Sequence, residues 1–139
     1  MLFRSYFIIE KAVEQANLAD YEKIGYAKGA YEKGIDHGVS PSQLSKLNWN
    51  FHIALLEPSD RPRNVAVIRM LYTSLDRYLR MQIRTKKAQA AAVRDHQRIF
   101  DAYTARDVNN VLALTKDHIQ TAYHQVLKGL KEKQDKPDL

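Results

Sequence analysis

The chain has 139 residues, room for one domain but not for both a DNA-reading module and a full ligand domain. Its 45% hydrophobic and 27% charged content lies near the globular average and excludes a disordered chain, and the absence of cysteine excludes disulfide scaffolds and thiolate metal centres. The net charge of +6 is concentrated: between Arg61 and Arg98 ten basic residues oppose only Asp76 and Asp95, a stretch that either meets an anion or forms a solvated face.

The Met1–Ile9 stretch is apolar but runs into Glu10 and Lys11 without a small-residue cleavage site, so no leader is expected. No run approaches the roughly 18 apolar residues of a membrane span, and a cytoplasmic protein without membrane contact is expected. Apolar periodicity predicts a first helix from about Phe3 to Gly34, with Phe7, Ile8, Val13, Ala16, Ile24 and Tyr31 on its buried face and a break offered at Asn17–Asp20. Gly34–Val39 reads as a stop. Ser40, Pro41 and Gln43 read as N-cap, first-position proline and capping-box glutamine of a helix carrying Leu44, Leu47, Phe51, Ala54 and Leu55.

Glu57–Pro62 reads as a turn, followed by a long helix over Arg63–Arg84 whose Val65, Val67, Ile68, Leu71, Tyr72, Leu75, Leu79 and Ile83 recur at spacings of three and four. Thr85–Ala88 is expected to loop. A helix over Ala90–Ala105, a break at Arg106 with Asp107 as N-cap, and a last helix to about Leu130 complete the chain. Residues 131–139 have nothing to bury and should fray, leaving 1–130 as one domain. The fold class is all-α, an antiparallel bundle of about six helices with short connections.

Three of the five histidines can be brought together by helix arithmetic. His96 lies ten residues before Arg106 and His118 twelve after it, so in an antiparallel hairpin the two sit at nearly the same level. His96 shares a face with Ile99 and Tyr103, and His118 with Leu114 and Ala122, so both point inward. His52 lies on the apolar Leu44 helix with Asn48 one turn earlier on its face. A single histidine on an apolar face is more often a hydrogen-bonded core imidazole than a ligand. Three imidazoles plus one oxygen donor from three helices nevertheless form a candidate site that suits zinc, nickel, manganese or iron, and the lack of thiolates argues against a closed structural zinc site. His124 falls about 240° around the helix from His118 and cannot join it; His37 sits in the stop segment and should face solvent.

The run Leu47-Asn48-Trp49-Asn50-Phe51-His52, then Arg94-Asp95-His96-Gln97-Arg98-Ile99-Phe100-Asp101-Ala102 closing on Arg106-Asp107, then Asp117-His118-Ile119, resembles the C-terminal ligand-binding (FCD) domain of FadR-type GntR transcriptional regulators. The resemblance is good from about Leu47 to Leu127. It implies a helical bundle around a central cavity, with His52, His96 and His118 as ligands of a divalent metal, zinc first and nickel or manganese as alternatives. Asn48 stands where the family usually has Asp, and Asp95 where it has Glu. The resemblance further implies a small organic acid effector held beside the metal by arginines, for which Arg77, Arg80 and Arg84 are the candidates, since guanidinium pairs bidentately with carboxylate. The family's first-helix arginine has no counterpart at Glu10–Glu14, and Arg4 is a stand-in without matching register. A homodimer is implied, and contact with DNA only through a winged helix-turn-helix absent from this chain.

A metal-dependent enzyme is the alternative, because three histidines with open coordination could activate water. Against it, Asp95 and Asp117 flank the histidines in sequence but point about 100° away on their helices. A phosphotransfer bundle would need His37 or His124 as an exposed nucleophile, and neither has a distinctive setting.

Overall fold

The computed structural model describes residues 2–135, with side chains from Tyr6 onward. Six α-helices follow in order: α1 (Leu2–Gln15), α2 (Leu18–Asp36), α3 (Pro41–Leu56), α4 (Pro62–Gln82), α5 (Lys86–Thr104) and α6 (Val108–Gln134), with a 3-10 turn at Glu57–Ser59 between α3 and α4. The described residues contain no strand, so the all-α bundle expected from periodicity is the fold.

The boundaries follow local chemistry. The predicted first helix divides at Asn17, whose side chain accepts from the Asp20 backbone N–H at 3.0 Å while the Asp20 carboxylate accepts from the Asn17 N–H at 2.9 Å. This reciprocal cap outweighs continuation of the helix. α2 ends within the expected Gly34–Val39 stop, although Gly34 itself remains in the helix. It stays helical and buried because α3 crosses there, where a Cβ would come within 2.6 Å of Leu47 Cδ1. The chain turns instead at Gly38, with φ +61. Thr85 also departs from the expected loop, since its hydroxyl accepts from Ala88 N–H and caps α5 at once. The last helix passes Leu130 and runs to Gln134 with residues 131–135 exposed; the rest of the tail, 136–139, lies outside the described residues.

α2 packs on α3 and α5, α5 on α6, and α4 on both α3 and α6, while α1 lies across the 3-10 turn, α3 and α6. The core is built from Ile8, Val13, Ile24, Phe51, Ile99, Tyr103 and Val111. Arg106, in the left-handed region at φ 56, directs its guanidinium at the Val13, Glu14 and Ala16 carbonyls. It thereby satisfies the orphan acceptors at the end of α1 and fastens the α5–α6 turn to it. α4 is the least embedded helix. Only Val65 and Ile68 of its expected stripe are buried, and Val67 and Leu75 are each 51% exposed. Among the described residues no helix is long and apolar enough to cross a membrane.

Candidate functional site

His52, His96 and His118 converge from α3, α5 and α6. Their candidate ligand nitrogens all lie within 4.8 Å of one another. The ring centroids are 5.1 Å apart for His52–His96, 5.1 Å for His52–His118 and 5.3 Å for His96–His118. The levelling of α5 against α6 about Arg106 thus brings the last two opposite each other.

His96 is the innermost of the three. Its ring, 0% exposed, packs on Phe51 at 4.3 Å and Tyr31 at 4.9 Å, and neither ring nitrogen has a hydrogen-bond partner. Burial pushes its pKa down to about 3, with repulsion from His118 adding to the effect and Asp95 opposing it. Burial likewise holds His52 well below the ordinary imidazole range, helped by His96 and His118. Both rings are therefore neutral at pH 7, the state in which imidazole offers a lone pair to a metal.

His118 is positioned differently. Its Nδ1 lies 3.0 Å from Asp95 Oδ2, and this hydrogen bond is the main cause of the lowered Asp95 carboxyl pKa, against an opposing effect of burial. A carboxylate accepting from Nδ1–H fixes the tautomer and leaves Nε2 free to ligate. The expectation that Asp95 points away from the histidines is thus corrected: it turns from His96 but toward the neighbouring helix. The signal was available, because Asp95 lies eleven residues before Arg106 and His118 twelve after it.

Asn48 is half-buried and faces a small chamber of 80 Å³ that it shares with Tyr31, Asp95 and His118. On the other side, His52 forms part of the wall of a cavity of 600 Å³ between α3, α4 and α6. The arginines stand apart from both spaces. Arg77 and Arg84 are exposed, and Arg80 pairs with Asp76 at 2.7 Å, with Asp76 also accepting from the Ser45 hydroxyl and approached by Trp49 Nε1. The side chain of Arg4 lies outside the described residues. His37 is exposed at the end of α2, and His124 is exposed at the far end of the larger cavity, away from the cluster. The family resemblance implied a central cavity, but sequence reasoning missed Thr115 within it, whose buried hydroxyl lacks a partner.

The donor set fits a divalent ion. Three imidazoles from separate helices, one of them buried with two orphaned nitrogens, form a poor hydrophobic core and a good nitrogen-ligand set. A helical bundle with this interior has the character of a regulatory ligand-binding domain. The FCD domain family model matches residues 6–121, and the chain belongs to that family. No curated protein matches it.

Proposed function

We propose that this FCD domain is the effector-sensing and dimerisation half of a GntR/FadR-type regulator. In this reading His52, His96 and His118, with Asn48 as an oxygen donor, hold a divalent metal: zinc first, nickel or manganese as alternatives. A small organic carboxylate then binds beside it and modulates DNA binding by an attached winged-helix domain. The observation that carries the proposal is His96. A fully buried imidazole with both nitrogens unpaired forfeits hydrogen-bond energy that a ligated ion would restore.

A bound ion supplies open coordination positions for a carboxylate oxygen. The protein supplies orientation through Asp95, which holds His118, and steric confinement through Phe51 and Tyr31 against His96. Arg80 sits in the half-buried seam between α3 and α4, paired with Asp76 and outside both spaces, so it would reach an effector carboxylate only by leaving that pair, whereas Arg77 and Arg84 face solvent. Sensing is favoured over hydrolysis because the carboxylate nearest the cluster, Asp95, is engaged with His118 and is not free as a general base.

The test is elemental analysis of protein purified without chelator or a metal-affinity tag. About one equivalent of metal per chain, lost in His52→Ala and His96→Ala, is expected. No metal after incubation with excess zinc, nickel or manganese would overturn the assignment.

A further inference from the structure

The cavity beside His52 has a chemistry that narrows the ligand. Its walls are supplied mainly by Leu55, Leu56, Ile68, Leu71, Val111 and Ile119, and among the described side chains no Arg, Lys, Asp or Glu lines it. Its polar groups fall at two ends. His52, the neighbouring Tyr72 and the unpaired hydroxyl of Thr115 lie at the inner end, and Gln120, Tyr123 and His124 lie at the exposed end. Leu75 and Tyr123, 51% and 60% exposed, also line it and leave apolar surface uncovered.

We infer that the effector is an amphipathic monocarboxylate: a single anionic head group at the His52–Thr115 end and an apolar body, aliphatic or aromatic, filling the cavity toward Tyr123. This rests on the proposed metal–carboxylate reading and goes beyond it in assigning the body of the molecule. A two- or three-carbon acid would leave the leucine and isoleucine walls in contact with water. A dicarboxylate would set its second charge against apolar walls or at an exposed end that holds no Lys or Arg to pair with it, in either case without compensation by a cation. A volume of 600 Å³ lies within the range that accommodates a drug-sized ligand.

The experiment is calorimetric titration of the zinc-loaded protein with straight-chain monocarboxylates from acetate to decanoate, with suberate and 1-octanol as controls. Each added methylene is expected to tighten binding about fourfold until the cavity is filled, and octanoate is expected to bind far more tightly than suberate. Leu75→Asp, a change at a half-exposed position of the cavity wall, should weaken octanoate at least about tenfold and acetate far less. Affinity independent of chain length, or suberate binding as well as octanoate, would overturn the inference. Octanol binding as tightly as octanoate would overturn the anionic head group and the metal–carboxylate reading beneath it.

Discussion

Replacing His96 with leucine should change the stability of the protein in opposite directions with and without metal. His96 is fully buried, and both its nitrogens lack partners. Each buried unsatisfied polar group costs about 1–3 kcal/mol, and leucine fills a comparable volume between Phe51 and Tyr31 without that cost. In chelator the two nitrogens together cost about 2–6 kcal/mol, and after a repacking penalty of about 1–3 kcal/mol His96→Leu is expected to be more stable than the parent by about 1–3 kcal/mol. In zinc the parent gains RT ln(1 + [L]/Kd), about 4 kcal/mol at a free concentration of a thousand times Kd, and the variant loses most of that gain. Urea denaturation in chelator and in buffered zinc, followed by circular dichroism, gives both differences, and the order of the midpoints should invert. A variant destabilised by 2 kcal/mol or more in chelator would show that the imidazole is satisfied without metal. Equal parental midpoints in the two buffers would refute the site outright.

Further expectations concern the surrounding groups. Without metal, stability should fall as the pH drops from about 6.5 toward 3. The unfolded chain protonates His96 near 6.5 while the folded one resists until about 3, so the unfolded state binds more protons across that window, with a slope of about 1.4 kcal/mol per pH unit. Urea midpoints between pH 4 and 8 in chelator check both the sign and the window. Asp95→Asn removes the anionic partner of His118 Nδ1 and should weaken zinc binding about 10- to 100-fold by competition titration, with little change in chelator stability. Arg106→Ala exposes the α1 carbonyls and frees the α5–α6 turn, and a loss of about 1–3 kcal/mol is expected in the same denaturation assay, with metal stoichiometry retained.

Residues whose structural role is local were legible in the sequence, and those whose role depends on a distant neighbour were not. Ser40, Pro41 and Asp107 mark helix starts because a cap needs only its own first turn, and the structure has them there. His96 and His118 could be levelled because one tight turn fixes the hairpin, and two rises of 1.5 Å per residue do the rest. Within the expected Gly34–Val39 stop, Gly38 makes the turn and Gly34 lets α3 approach, two uses of glycine that look alike until Leu47 is placed against Gly34. The α4 stripe was over-read for a related reason: periodicity gives the apolar face but not whether a partner covers it, and Leu75 lies over the cavity instead. The cavity, lined from α3, α4 and α6 with Ile9 of α1, was implied only by the family resemblance, because a space between helices has no signature in any one of them.

The placement of the cluster explains how occupancy can be felt at a distance. The imidazoles come from α3, α5 and α6, and α4 packs on two of these three helices. Nitrogens bound to one ion at about 2.0–2.1 Å lie about 3.3 Å apart, closer than the 4.8 Å within which these are spread. His96 is wedged between Phe51 and Tyr31, so the approach falls to His52 and His118, each of which borders a space. In the proposed reading, drawing those rings together would pull α6 toward α3, and a ligand filling the larger cavity would push on the same pair of helices and on α4 from the other side. Because close-packed interiors pass on displacement instead of absorbing it, metal and ligand would then act on one seam, and α4 and α6 are the elements whose positions should report it.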